Sequence, residues 1–368
     1  MANKIIHDLC RIAVFSIPVI IAILISELVT IQVYLVPSFG TDNMLALWRI
    51  LELIPAFIFA YISDKQYRKG ALVISHLLGL VSGVAAYLLG YPLWALVLIG
   101  LTFNPISVAR AALLDNFPQY SSVKLVAITY CAMYIPWIFY DQISTIPLNS
   151  IIVFTLIMLF INTVITIVLF EDRKDLTHVN HSLQRAFFNK NVKKMSLMIL
   201  AFILSQITIE WVWYLIHHYQ NANAWLSLTN YGFVIGFACA VLYKKLPHMS
   251  IITLAYTTGF GISLIAIIGR AYGLFGCREA VFSSMSYYTV IAGVYLPFVT
   301  DGVISLFNPS RKAMASAIVE LASRIAVILS YVFILYVAQD YCDSSYFIAL
   351  LFLAAAFLQR RVEKLPSF

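Results

Sequence analysis

Apolar residues come in long runs, each ended by a short polar or Pro/Gly-containing turn. Runs of this length with few charges predict membrane-spanning helices, because lipid leaves a backbone N–H or C=O no partner outside its own segment. Twelve spans are predicted, over residues 12–36, 44–62, 70–89, 92–114, 123–142, 148–170, 195–218, 224–243, 250–269, 284–307, 313–337 and 345–359. The stretch 270–283 either begins the tenth span early or lies in the interface. Lys4 and Arg11 before the first run imitate a secretory leader. That run is too long for one and lacks a small-residue cleavage site, so it is expected to stay as a span.

Composition points the same way. Of 368 residues 62% are hydrophobic and 11% charged, with a mean hydropathy of +0.89. A soluble domain carries about 25% charged residues. The figures exclude a soluble globular protein, and with it disordered, collagen-like and disulfide-stapled scaffolds. Twelve spans of about 20 residues take about 240 residues, which leaves no room for a soluble catalytic domain.

Charge placement sets the expected orientation. With the N-terminus in the cytoplasm, nineteen of the twenty-four Lys and Arg fall on the cytoplasmic side, two (Arg270 and Arg278) outside and three within spans. Short loops follow the positive-inside rule, so both termini are expected in the cytoplasm. The net charge of +7 is then a topology signal, and nucleic acid is excluded as a partner. The five cysteines lack metal-ligand spacing, and neither metal nor cofactor is expected. Cys277 and Cys342 fall in two external loops of one half, as either a disulfide or two free thiols.

Residues 171–194 form a charged loop, expected to be a cytoplasmic, interfacial linker between two six-helix bundles, residues 1–170 and 195–368. The halves echo each other. Arg11 precedes Glu27 by the spacing that separates Lys194 from Glu210, and Arg110 precedes Pro118 as Asp301 precedes Pro309. This favours a parallel repeat about an axis along the membrane normal.

After the second span the chain reads Ala60-Tyr-Ile-Ser-Asp64-Lys65-Gln-Tyr67-Arg68-Lys69. This resembles the signature of the major facilitator superfamily, with Asp64, Lys65, Arg68 and Lys69 matching and Ala60 and Tyr67 in place of two glycines. The resemblance implies an all-α membrane protein of twelve helices in two bundles. It also implies a latch in which Asp64 pairs with neighbouring helix ends. An acid among bases at a helix terminus makes bonds that a rocking motion can make and break. The arginine that proton antiporters of the family carry early in the fourth span is missing. The loop Tyr243-Lys-Lys-Leu-Pro247 lacks the matching acid.

A charge at the bilayer centre costs about 2.5–3.5 kcal/mol, so charges inside spans need a reason. Glu320 with Arg324, four apart, and Arg49 with Glu52, three apart, are expected to neutralise each other as structural ion pairs. Glu27, Arg110, Glu210 and Asp301 fall on spans one, four, seven and ten, which line the cavity in the family the sequence resembles. Glu27, Glu210 and Asp301 are candidate proton carriers, since a carboxyl in an apolar cavity is harder to ionise. Arg110 is permanently charged. It binds an anionic substrate group, counters a carboxylate such as Asp301, or holds Asp115. Gln206, Tyr130, Tyr134, Trp211 and Tyr214 are candidate substrate contacts, offering flat faces with polar tips. Pro105 and Pro297 are candidate hinges, and Pro18 and Pro55 passive kinks.

The expected function is secondary, proton-coupled transport of a small organic solute by alternating access, in a monomer of a bacterial inner membrane. Alternatives are uptake of an organic anion or iron chelate, efflux by proton antiport, or an integral-membrane lipid-modifying enzyme. The last would need a His/Asp/Ser or metal constellation at one interface, and none is evident. No phosphate-binding loop offers ATP drive.

Overall fold

The computed structural model describes residues 2–35, 42–65, 67–90, 93–118, 120–171, 192–217, 222–242, 248–274, 276–307, 309–336 and 341–365. Among them the regular elements are all helices: α1 (Ala2–Leu35), α2 (Asp42–Leu51), α3 (Leu53–Lys65), α4 (Arg68–Leu88), α5 (Leu93–Thr102), α6 (Ile106–Asn116), α7 (Ser122–Ile138), α8 (Tyr140–Ser144) and α9 (Leu148–Leu169). After residues 172–191, which lie outside the description, follow α10 (Val192–His217), α11 (Ala222–Leu242), α12 (His248–Ala271), α13 (Cys277–Ser305), α14 (Lys312–Tyr336) and α15 (Tyr341–Glu363). A 3-10 turn, Pro309–Arg311, precedes α14. Eight helices among the described residues are long and apolar enough to cross a membrane, and the shorter Ser122–Ile138 and Thr229–Leu242 are also apolar.

Each predicted span falls on one of these helices or on a broken pair. The stretch ahead of the tenth span is helical from Cys277 onward and continuous with that span. The second span is interrupted at Glu52 and the fourth between Thr102 and Ile106. Proline supplies the cause in both. Pro55 and Pro105 have no N–H to give to the carbonyl four residues back. Asn104 bonds the backbone at both breaks. Its Nδ2 donates to the Glu52 carbonyl at 3.1 Å and its Oδ1 accepts the Ile106 N–H at 3.1 Å. Pro18 and Pro297 instead lie within continuous helices.

The chain divides into two compact units, Met1–His181 with Asn308–Glu320, and Ser182–Phe307 with Leu321–Phe368. In the first, α1 packs on α6, α7 and α9, and α4 on α5 and α9. Ile25, Val33, Trp48, Ala86, Ile99, Phe103 and Leu159 form its core. Ala60, Ala111, Ala313 and Ala317 form a second, small-residue contact. Without a hydrophobic drive between helices in lipid, such residues let backbones approach closely. The second unit uses the same device where α11 crosses α13. A Cβ on Gly236 would lie 2.7 Å from the Gly293 Cα, and one on Gly293 2.8 Å from the Gly236 Cα. Bulky residues such as Phe160, Val168, Ile265 and Leu254 are exposed on the outer faces, as a lipid-facing surface requires.

Candidate functional site

The first unit buries two charge centres. One gathers around the end of α3. Arg68, in the first turn of α4, donates from Nε to Asp115 at 2.9 Å and from Nη1 to Ser63 at 2.8 Å and to Asp64. The other Asp115 oxygen accepts from Lys312 Nζ at 2.7 Å. Asp64 also accepts the backbone N–H groups of Ala313 at 3.2 Å and Met314 at 2.9 Å. Those are orphan donors at the start of α14, where the helix dipole favours an anion. Burial raises the Asp64 carboxyl above its ordinary range, opposed by Arg68 and by the two backbone donors. Of the four residues expected to form a latch, Asp64 and Arg68 are at the centre of this charge cluster. Lys65 lies exposed, its Nζ 4.8 Å over the Tyr61 ring, and Lys69 is half-buried. Asp115 and Lys312 complete the cluster and were not singled out by the motif.

The other centre is Arg110, 1% exposed on α6. Its Nε donates to Thr129 Oγ1 at 3.1 Å and its Nη1 to Ser316 Oγ at 2.7 Å. Its Nη2 meets the Met133 sulfur at 3.6 Å. The guanidinium carbon lies 4.8 Å over the Tyr130 ring, a cation–π arrangement. Glu320 Oε1 stands 3.9 Å from Nη1 and accepts from Ser107 Oγ at 2.8 Å. Asp115, one of three partners open to Arg110, bonds Arg68 and Lys312.

A third polar layer runs through α1, α2 and α7. Glu27, buried, accepts from Trp137 Nε1 at 3.0 Å, and Trp137 stacks on Tyr140 with centroids 5.9 Å apart. Glu52 accepts from Thr30 at 3.0 Å and lies 3.4 Å from Arg49, so the expected local pair is present with an added hydroxyl. Tyr134 is half-buried on α7.

In the second unit Gln206 donates to the Tyr295 hydroxyl at 3.0 Å, and Tyr295 meets Tyr256 edge-on at 4.9 Å. This places one candidate substrate contact in a neutral, aromatic setting. Asp301 is buried, and Glu210 is half-buried one turn beyond Gln206. Arg324 is half-buried on α14. The side chains of Trp211, Tyr214, Cys277 and Cys342 lie outside the described residues, and with them the aromatic pair and the choice between a disulfide and two free thiols. Among the described residues no His/Cys/Asp/Glu group could hold a metal ion.

The sequence matches no protein-family model and no curated protein. Its fold does have solved counterparts. The human organic anion transporter MFSD10 superimposes with a TM-score of 0.77 at 11% identity, covering 95% of this chain and 99% of that one. The Escherichia coli fucose:proton symporter FucP gives 0.73 at 10% identity, over 96% and 98%. A bacterial homologue of the iron transporter ferroportin, in an outward-facing state, gives 0.71 at 12% identity, over 95% and 99%. All three are transport proteins rather than enzymes. The chain therefore has the fold of major facilitator transporters, and its apolar helices make it a multi-pass integral membrane protein.

Proposed function

We propose that this chain is a secondary transporter that moves a small organic solute across the bilayer by alternating access, and that it performs no chemistry on that solute. The observation that carries the reading is the burial of Glu27, Arg110 and Asp301, each at 5% exposure or less, on helices of a transporter-type fold. Ionisable groups in such positions are expensive, and solute and proton paths are the recurrent reason for keeping them.

Residues 1–170 and 195–368 act as the two bundles, joined through 171–194. The Asp64–Arg68–Asp115–Lys312 cluster is the clasp that one conformation closes and the other opens. Arg110 with Tyr130 and Tyr134 in one bundle, and Gln206 with Trp211 and Tyr214 in the other, contact the solute. Glu27, Glu210 and Asp301 carry the coupling proton, protonated facing one side and ionised facing the other. The protein works as a monomer in a bacterial inner membrane.

Uptake into proteoliposomes under an imposed pH gradient tests this against a panel of metabolites. The expected result is gradient-dependent flux that falls at least tenfold in Glu210→Gln and Asp301→Asn. Flux unchanged in both variants and with the gradient collapsed would remove the proton from the mechanism.

A further inference from the structure

Arg110 is enclosed, yet its charge is poorly met. A guanidinium beside a carboxylate ordinarily forms two parallel bonds of about 2.7–2.9 Å. Here the carboxylate among its partners, that of Glu320, stays 3.9 Å from Nη1 because Ser107 holds the same oxygen at 2.8 Å. The rest of the fork meets two hydroxyls and, at Nη2, a thioether sulfur, which is a weak acceptor. Nη1 and Nη2 are the pair of donors that suits a planar oxyanion, and the Tyr130 ring lies beneath them. Four residues of spacing put Arg324 on the same helix face as Glu320, and the fold also brings Ser107 to Glu320 from 213 residues away in the chain.

We propose that Arg110 is the anion site of this protein and that Glu320 is its internal stand-in. The solute carries a carboxylate or similar planar oxyanion, which takes both Nη donors over Tyr130 while Glu320 withdraws. Glu320 keeps the cation compensated whenever solute is absent. The substrate role rests on the transporter reading; the exchange of one carboxylate for another at Arg110 does not. Arg110, Ser107, Thr129, Met133, Ser316 and Glu320 all belong to the first unit, so the site is complete within it.

The test uses the full-length protein in nanodiscs, with sodium acetate as probe, acetamide as its neutral counterpart and thermal unfolding as readout. Glu320→Ala vacates the stand-in position. Acetate is expected to stabilise this variant at concentrations at least tenfold lower than those that affect the wild type, and acetamide to stabilise neither. Should the alanine variant not fold, Glu320→Gln is expected to give the same ordering. Acetate acting at one concentration in both proteins, or acetamide acting as well as acetate, overturns the stand-in. Gradient-driven uptake in proteoliposomes is scored separately. No uptake with the tenfold difference intact fails the transporter reading alone, and uptake without that difference fails the anion site alone.

Discussion

The two charge centres of the first unit share one short helix, α6, which gives Asp115 to one and Arg110, five residues earlier, to the other, and they are built in opposite ways. Around Asp115 two acids meet two bases, with contacts of 2.9 Å from Arg68 and 2.7 Å from Lys312, and backbone donors complete Asp64. Around Arg110 one cation meets hydroxyls, a sulfur, a ring face and a carboxylate held at arm's length. A cluster whose charges satisfy each other can hold elements together and needs nothing from outside. A centre whose charge is only partly met retains free energy that an arriving ligand can recover. The degree of charge compensation distinguishes the two centres more sharply than burial does, since Arg68, Arg110 and Asp115 are all buried.

The Asp115 cluster is most sensitive to substitution at Arg68. Arg68→Gln leaves Asp64 and Asp115 facing each other without their shared cation, and losing one partner of a buried pair costs about 3–5 kcal/mol. A large drop in melting temperature is expected. It should also depend on pH, because Asp64 already has its pKa raised by burial and then loses the opposing pull of Arg68. A carboxyl more easily protonated when folded contributes fully below its unfolded pKa, about 3.9, and that contribution is lost as pH rises through the raised folded value. The variant should therefore melt higher near pH 5 than near pH 8. At the other centre Ser316→Ala removes one bond to a buried cation, worth about 1.5 kcal/mol, and is expected to lower the melting point moderately. Acetate should restore part of that loss. Lys65→Ala touches only an exposed cation–π contact, so a change below about 0.5 kcal/mol is expected in the same melts.

How much of this was legible in the chain depended on distance along it. The spans follow from hydropathy, and the break at Asn104-Pro105 from the missing proline N–H. Asp64 and Arg68 stand four apart within a recognisable motif. Their partners do not: Asp115 lies 47 residues from Arg68, and Lys312 lies 197 from Asp115. Side-chain spacing on a helix predicts neighbours three or four residues away, so it found Arg49 with Glu52 and had no means of finding Ser107 for Glu320 or Trp137 for Glu27. The break at Glu52 follows from Pro55 in the same way, but its tie to another span does not. The residue read as half of an ion pair is also the place where the helix stops, and Asn104 from another span bonds its carbonyl.

The proposed transport cycle requires the Asp64 cluster to be a reversible clasp rather than a permanent staple. The most direct measurement places spin labels at Lys65→Cys and Arg311→Cys in an otherwise cysteine-free chain and records their distance distribution in nanodiscs. Since protonating Asp64 weakens its bonds to Arg68 and to the start of α14, a short population should dominate near pH 8. A second, longer one should grow toward pH 5. One unchanged short distance at both ends of that range would mean a permanent staple.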